Sequence, residues 1–215
     1  MKLSGINQPE SLSKMAYNAL RNAILDGRLR RNEIYNEMAL AKELGISRTP
    51  VREALLELSS QNLVTFLPRR GVIVNSFTDK DIEEIFELRK AIELAAVEKV
   101  CNLQTPCNFS KIQKTIDRQR NAINEENYSK FMQADREFHT LFCEFMGNKR
   151  ILAILENIRD IVHLIGWQAM TVEGRMKKVI VEHEKVLNEV KNGKTAAARK
   201  AMDIHLEMSK IAAFV

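Results

Sequence analysis

Apolar residues recur at three- and four-residue spacing through most of the chain, and the places where that spacing fails divide it into parts. Met15, Ala16, Ala19, Leu20, Ala23 and Ile24 form one such stripe, which predicts a helix over Ser13 to Asp26 closed by Gly27. A second helix is expected from about Asn36 to Leu44, closed by Gly45. A third is expected to begin at Thr49, a hydroxyl N-cap followed by Pro50 at the first helical position, and to run through Val51, Ala54, Leu55 and Leu58 to about Asn62. The period then shortens. Leu63 to Leu67 and Val72 to Val74 are β-branched and aromatic runs separated by Pro68-Arg69-Arg70-Gly71, the pattern of a β-hairpin with a basic tip. From Thr78 the helical period returns, broken near Gln104 to Asn108, Asn124 to Asn127, Gly147-Asn148, Met170 to Gly174 and Gly193, so six further helices are predicted. Val74 to Asp79 reads as the hinge between the two parts.

Eight glycines and four prolines in 215 residues leave little to interrupt helices, so the expected fold class is mainly α. Residues 1–75 should form a winged helix-turn-helix of three helices plus a hairpin, and residues 76–215 an all-α helical bundle. No apolar run approaches the roughly 20 residues of a bilayer span. Met1 to Glu10 lacks the apolar core of a secretory signal, so a cytosolic protein is expected. Cys101, Cys107 and Cys143 are odd in number and form no Cys-x-x-Cys pair, which supports neither a disulfide framework nor a thiolate zinc site.

Charge is unevenly distributed along the chain. Residues 1–75 carry 11 basic and 7 acidic side chains, the remaining 140 residues 22 and 21, so the excess sits in the first part and points to a polyanionic partner there. A helix, the turn Gly45-Ile46-Ser47 and a second helix opening on Arg48, Thr49 and Arg52 is the arrangement a helix-turn-helix needs, with Ile46 tucked into the core. Arginine suits this position because its planar fork donates two hydrogen bonds to guanine O6 and N7. The basic hairpin tip is then the wing, and the expected partner is double-stranded DNA.

The segment Ser47-Arg48-Thr49-Pro50-Val51-Arg52-Glu53-Ala54-Leu55, with Leu58, Leu63-Val64 and Arg70-Gly71-Val72-Ile73-Val74, resembles the winged-helix signature of GntR-type transcription regulators over residues 12 to 75. Arg30-Arg31-Asn32-Glu33 departs from it, standing where the family usually has a Pro-Gly pair. The resemblance implies that Arg48, Thr49 and Arg52 contact DNA from the recognition helix, and that the wing around Arg69, Arg70 and Gly71 reaches the minor groove or backbone.

In the second part the informative residues are polar ones inside apolar stripes. Asp135 and His139, four apart, sit among Phe131, Phe138, Leu141, Phe142 and Phe145; His183 falls among Val179, Ile180, Val186, Leu187 and Val190; His205 falls among Ala198, Met202, Met208 and Ala212. Four ionisable groups facing inward from three helices are expected to converge. Three imidazoles and a carboxylate make a site for one divalent transition metal per chain, with zinc, nickel and manganese all acceptable. His163 is left as packing or pocket lining.

Asp135-Arg136-Glu137-Phe138-His139, Gly147-Asn148, Glu182-His183 and His205-Leu206 are similar to motifs of the FadR-like branch of the same family, whose second domain is the all-helical FCD type. That resemblance spans residues 79 to 210 and implies a metal held by the matching Asp and three His beneath an effector pocket. Arg89 lies on the stripe Ile82, Ile85, Phe86, Ile92 and Ala96 with Glu93 one turn on, so it points either inward as an anion ligand or outward as an ordinary ion pair. If inward, it favours a small carboxylate effector.

The whole reads as a regulator, expected to be a repressor, that binds a palindromic operator as a homodimer. The apolar surplus of Ile154, Leu155, Ile158, Ile161, Val162, Leu164 and Ile165 on a single helix places the dimer interface in the second part. Two rivals are a direct metal sensor and a metalloenzyme using Glu182 or Glu184 as base. The second is disfavoured because neither residue shares the helical direction of His183 and an enzyme has no use for the wing.

Overall fold

The computed structural model describes residues 10–103, 108–170 and 172–214, the side chains of 168 and 169 excepted. The reading of residues 1–9, most of the break after Leu103, position 171 and Cys107 lie outside the described residues. The chain divides into two compact units, Met1–Ser76 and Phe77–Val215.

The first unit runs α1 (Leu12–Leu25), β1 (Ile34–Tyr35), α2 (Glu37–Leu44), α3 (Arg48–Ser60), β2 (Val64–Leu67) and β3 (Gly71–Val74). Leu20 and Ile24 of α1 join Val51, Leu55 and Leu58 of α3 and Leu63, Val64, Val72 and Val74 of the hairpin in its core. The helix-turn-helix forms as expected. Gly45 takes φ 66° at the end of α2, where a left-handed residue lets the Ile46 amide bond back to Ala41 O at 3.1 Å. Ile46 is half-buried beneath the turn.

Two details differ from the sequence expectation. The N-cap of α3 is Ser47 rather than Thr49, so Pro50 sits in the middle of the first turn. It is tolerated there because the first four amides of a helix have no intrahelical acceptor, and a missing N–H costs nothing. The hairpin also gains a third strand. β1 pairs antiparallel with β3, Ile34 opposite Ile73 and Tyr35 opposite Val72, giving the order β1-β3-β2. The unusual Arg30-Arg31-Asn32-Glu33 segment makes this pairing: Asn32 adopts φ 62° and donates to Val74 O at 2.9 Å, while the Tyr35 hydroxyl receives the Arg30 amide at 2.7 Å. Asparagine tolerates the left-handed region better than most residues, so the turn closes without the usual Pro-Gly.

Among the described residues the second unit forms six helices: α4 (Asp79–Cys101), α5 (Phe109–Asn124), α6 (Tyr128–Met146), α7 (Lys149–Met170), α8 (Arg175–Lys191) and α9 (Thr195–Ala213). Thr78 and Asp81 form a reciprocal capping box that starts α4. Phe131, Phe138 and Phe142 of α6 are fully covered, with Ile112 and Ile116 of α5, Leu187 of α8 and Met202 and Leu206 of α9 around them. Met208, expected inside, is exposed, and Leu206 is buried instead. The apolar surplus on α7 is absorbed by the bundle itself: Leu155, Ile158, Ile161, Leu164 and Ile165 are buried and Ile154 faces out. That surplus therefore gives no argument for a second chain. Cys143 is buried, and burial pushes its thiol up to about 12, which suits a packing role. Among the described residues no helix is long and apolar enough to cross a membrane.

Gly71 shows how tightly the wing is built. Its φ is 123°, and a Cβ there would strike the carbonyl oxygen of Tyr35 on the neighbouring strand. Gly45, with φ 66°, has open space instead. Gly71→Ala is expected to cost more, roughly 1–3 kcal/mol from backbone strain alone with displacement of β1 added, whereas Gly45→Ala should cost about 1 kcal/mol. Urea unfolding with hydrogen exchange read at β3 checks this; equal losses at the two positions would show that β1 does not constrain the wing.

Candidate metal centre and nucleic-acid interface

The three predicted histidines come together. α6 supplies His139, α8 His183 and α9 His205, all buried, and their ligand atoms lie within 4.8 Å of one another. Nε2 of His205 is 3.2 Å from Nε2 of His139 and 3.4 Å from Nε2 of His183. Asp135, one turn before His139, places its carboxylate 3.7 Å from Nε2 of His183 and 3.9 Å from Nε2 of His139.

The opposite edge of each ring decides what these nitrogens can do. His139 Nδ1 lies 2.5 Å from Glu93 Oε2, and His205 Nδ1 lies 2.7 Å from Glu182 Oε2. His183 Nδ1 is 3.0 Å from Gln119 Oε1, while the Gln119 amide nitrogen donates to Asp135 at 3.3 Å. That donation to an oxygen which can only accept fixes the amide's orientation, so Oε1 accepts from His183. All three rings therefore carry their proton on Nδ1 and turn an Nε2 lone pair toward the same point. Three lone pairs facing one another with a carboxylate beside them is an unfavourable packing for a neutral core and a fitting one for a bound cation.

The acceptors are themselves anchored. Arg89 Nε donates to Glu93 at 2.8 Å, and Arg175 grips Glu182 with two bonds of 2.6 and 3.0 Å while reaching Ser209 at 2.9 Å. Burial alone would raise the Glu93 carboxyl, but the Arg89 charge, then His139, hold it at about 2. Glu182 is likewise held low, because the bonds from His205 and Arg175 outweigh its burial. Burial, then the neighbouring imidazoles, depresses His183 well below 6.5, and burial is also the largest cause of the lowered His205.

Arg89 faces inward, and it is also the i,i+4 partner of Glu93. It lines a cavity of about 30 Å³ with Asp135, His139, Thr140 and His163, and a second of about 20 Å³ with Met132, Gly166, His205 and Ser209. His163, on α7, is outside the triad and lines the first cavity.

Sequence reasoning missed the ring anchors. Gln119 carried a usable signal, being a polar residue in the apolar stripe of Ile112, Ile116 and Ala122. Glu182 did not, because its side chain leaves α8 to serve a histidine on α9. Bound to His205 and Arg175, it is unsuited to the role of base. Glu184 is half-exposed and paired with Arg120.

In the first unit, Arg48 and Arg52 project from the first turns of α3, half-exposed, and both bond to the buried carboxylate of Glu37 at the start of α2, at 2.9 and 2.8 Å. The Arg52 guanidinium also lies 5.6 Å from the Phe66 ring. Thr49 is exposed beside them, as are Arg69 and Arg70 at the wing tip. A groove of about 460 Å³ between α2, α3 and the wing is lined by Arg48, Arg52, Phe66, Arg69, Arg70 and Gly71.

A basic helix-turn-helix with a wing, joined to a helical unit with a buried histidine cluster, defines a DNA-binding transcription regulator with a second, all-helical domain. The model of the gntR family of bacterial regulatory proteins matches residues 12–74 and that of the FCD domain residues 84–208; the chain belongs to this family. It is 29% identical over 201 residues to the HTH-type transcriptional regulator YdhC of Bacillus subtilis, covering 93% of this chain and 90% of that one. Against the gluconate operon transcriptional repressor of Bacillus subtilis it is 26% identical over 183 residues, 83% and 74% of the two chains. The structure of Escherichia coli McbR/YncC superposes with a TM-score of 0.82 at 20% identity, covering 96% of this chain and 98% of that one.

The depressed histidines give the metal-free protein a pH dependence whose sign is fixed. Unfolded imidazoles take up protons near pH 6.5, while His183 and His205 in the folded chain resist until lower pH. The unfolded state therefore binds more protons as pH falls through 6.5, and stability drops. In chelator, the unfolding free energy from urea titrations should fall from pH 7.5 to 5.5 with a slope of up to about 1.4 kcal/mol per pH unit for each such histidine. A flat profile would mean the rings are not held neutral.

Proposed function

We propose that the chain is a repressor that binds a palindromic operator as a homodimer, and that a small carboxylate bound beside a divalent metal controls its operator affinity. The observation that carries the sensory half is the convergence of three buried Nε2 lone pairs whose Nδ1 protons are each committed to an acceptor. His139, His183, His205 and Asp135 would hold the ion. Imidazole with carboxylate favours zinc, nickel or manganese over calcium or magnesium. When bound, such an ion acts as a Lewis acid that takes one oxygen of an acid. Arg89, at the wall of the adjoining cavity, supplies a guanidinium for the other.

At about 30 Å³ that cavity accepts a single water, so an organic acid enters only if the walls move. Met132 and Val162, like Arg89 and Asp135, line both cavities. A ligand that needs those walls displaced binds the displaced arrangement more tightly, which is the condition for it to shift the protein between two states.

On the DNA side, Arg48, Thr49 and Arg52 would read base edges in the major groove, and Arg69, Arg70 and the Gly71 backbone would follow the phosphates. The dimer would supply two recognition helices for two half-sites. Ile204, Met208 and Ile211, exposed on one face of α9, are an apolar surface available for it.

The metal reading is tested by elemental analysis and thermal melts of the wild type, His183→Ala, His205→Ala and His163→Ala. Metal should be lost from the first two variants and kept by the third. The wild type should gain about 2.7 kcal/mol when free metal is a hundred times its dissociation constant. A wild type that carries no metal and melts identically with and without chelator would reduce the cluster to a polar core.

For the DNA reading, Arg52→Ala should cost about 1–3 kcal/mol in operator affinity, while Arg69→Ala should weaken binding to all sequences and flatten the salt dependence. Equal operator affinity for wild type and Arg52→Ala at fixed salt removes Arg52 from the readout.

A further inference from the structure

We infer that Glu37 is a positioning residue for DNA recognition: its buried carboxylate holds Arg48 and Arg52 so that both favour base edges over phosphates. The inference rests on the reading that these two arginines face the DNA, and adds a residue that touches none of it.

Glu37 opens α2, where Asn36 caps the helix and a carboxylate is favoured by the helix dipole. Its side chain is only 10% exposed, against 58% for Arg48 and 52% for Arg52, so it lies beneath the two arginines, away from solvent. Each arginine uses one nitrogen on it. Arg48 donates through Nε to one carboxylate oxygen, and Arg52 through NH1 to the other. Those choices leave the NH1/NH2 edge of Arg48 and the Nε/NH2 edge of Arg52, each a two-donor fork of the kind that matches guanine O6 and N7. With Glu37 behind it and Phe66 beside it, the Arg52 fork is held at the groove between α3 and the wing.

The same carboxylate also cancels part of the charge. Phosphate attraction is non-directional and scales with net positive charge, whereas base readout depends on where the forks point. A buried anion behind two arginines therefore weakens the sequence-independent component while fixing the geometry of the specific one. Without it, the guanidiniums are free to swing to phosphates.

The test uses the full chain and two duplexes: a palindrome selected from random DNA on the purified protein, and a shuffled version of it. E37Q keeps the shape and one acceptor and removes the charge. E43Q, at an exposed position on the same helix, makes the same change in net charge away from both arginines. The ratio of palindrome to shuffled affinity should fall about tenfold in E37Q, chiefly through tighter binding to the shuffled duplex, and stay within about twofold in E43Q. A ratio that moves equally in both variants, while R48A and R52A lower it, overturns the role of Glu37 alone. If R48A and R52A leave the ratio unchanged, the reading of the arginines fails and this inference with it. To separate a purely structural role, E37Q is repeated in the R48A/R52A background, where it should leave the ratio unchanged; a further fall there shows that Glu37 does not act through the arginines.

Discussion

The histidine cluster of the second unit depends on the three hydrogen bonds at the Nδ1 edges of its rings. An imidazole in an apolar core can turn about its χ angles and present either nitrogen, and nothing in the phenylalanine packing around it selects one. Glu93, Gln119 and Glu182 make the selection. The need propagates outward, because a carboxylate taken out of water requires its own partner: Arg89 answers the buried Glu93, and Arg175, itself bonded to Ser209, answers the part-buried Glu182. The two ion pairs thus orient the rings. Such pairs add little net stability compared with apolar residues of the same size, but removing one member strands the other in a low dielectric. What the bundle gains is a single arrangement of three lone pairs.

The DNA-binding unit uses the same device on a different side chain. Glu37 occupies one edge of two guanidiniums and leaves the other edge presented. In both units a carboxylate from one helix fixes the working atoms of residues on others, so the helix packing that buries the carboxylate also sets the geometry of the site. The wing is held in an equivalent way by backbone: β1 lies so close to Gly71 that the strand and the hairpin tip cannot move independently.

Periodicity made the helices legible because each has a complete apolar stripe, and the histidines stood out because a polar residue in such a stripe is costly unless satisfied. β1 was not legible. Ile34 and Tyr35 are too short a run to carry a period, and what makes them a strand is pairing with β3 across forty residues of sequence. The α3 boundary slipped by two positions because a hydroxyl before proline is a strong cap signal, while Ser47 caps by backbone conformation and makes no side-chain hydrogen bond. Met208 shares helical spacing with Ala198, Met202 and Ala212, but the buried face of α9 runs through Leu206 and Ser209 and leaves Met208 outside. The ring anchors were hardest to see. Glu182 and Glu93 look like ordinary charged positions on amphipathic helices, and only the approach of α4 to α6 and of α8 to α9 gives them histidine partners.

The narrowness of the cavity beside Arg89 bears on timing. With space for about one water, it would seat a larger acid, under the effector reading proposed above, only after Met132, Val162 or a neighbouring wall moves, so the frequency of that movement would cap the association rate whatever the acid. Acids of similar size would then arrive at similar rates, and discrimination among them would lie in how long each stays. A switch of that kind would measure residence: a brief visitor would leave no lasting change, while one held for longer than the time a regulator spends on its operator would be registered.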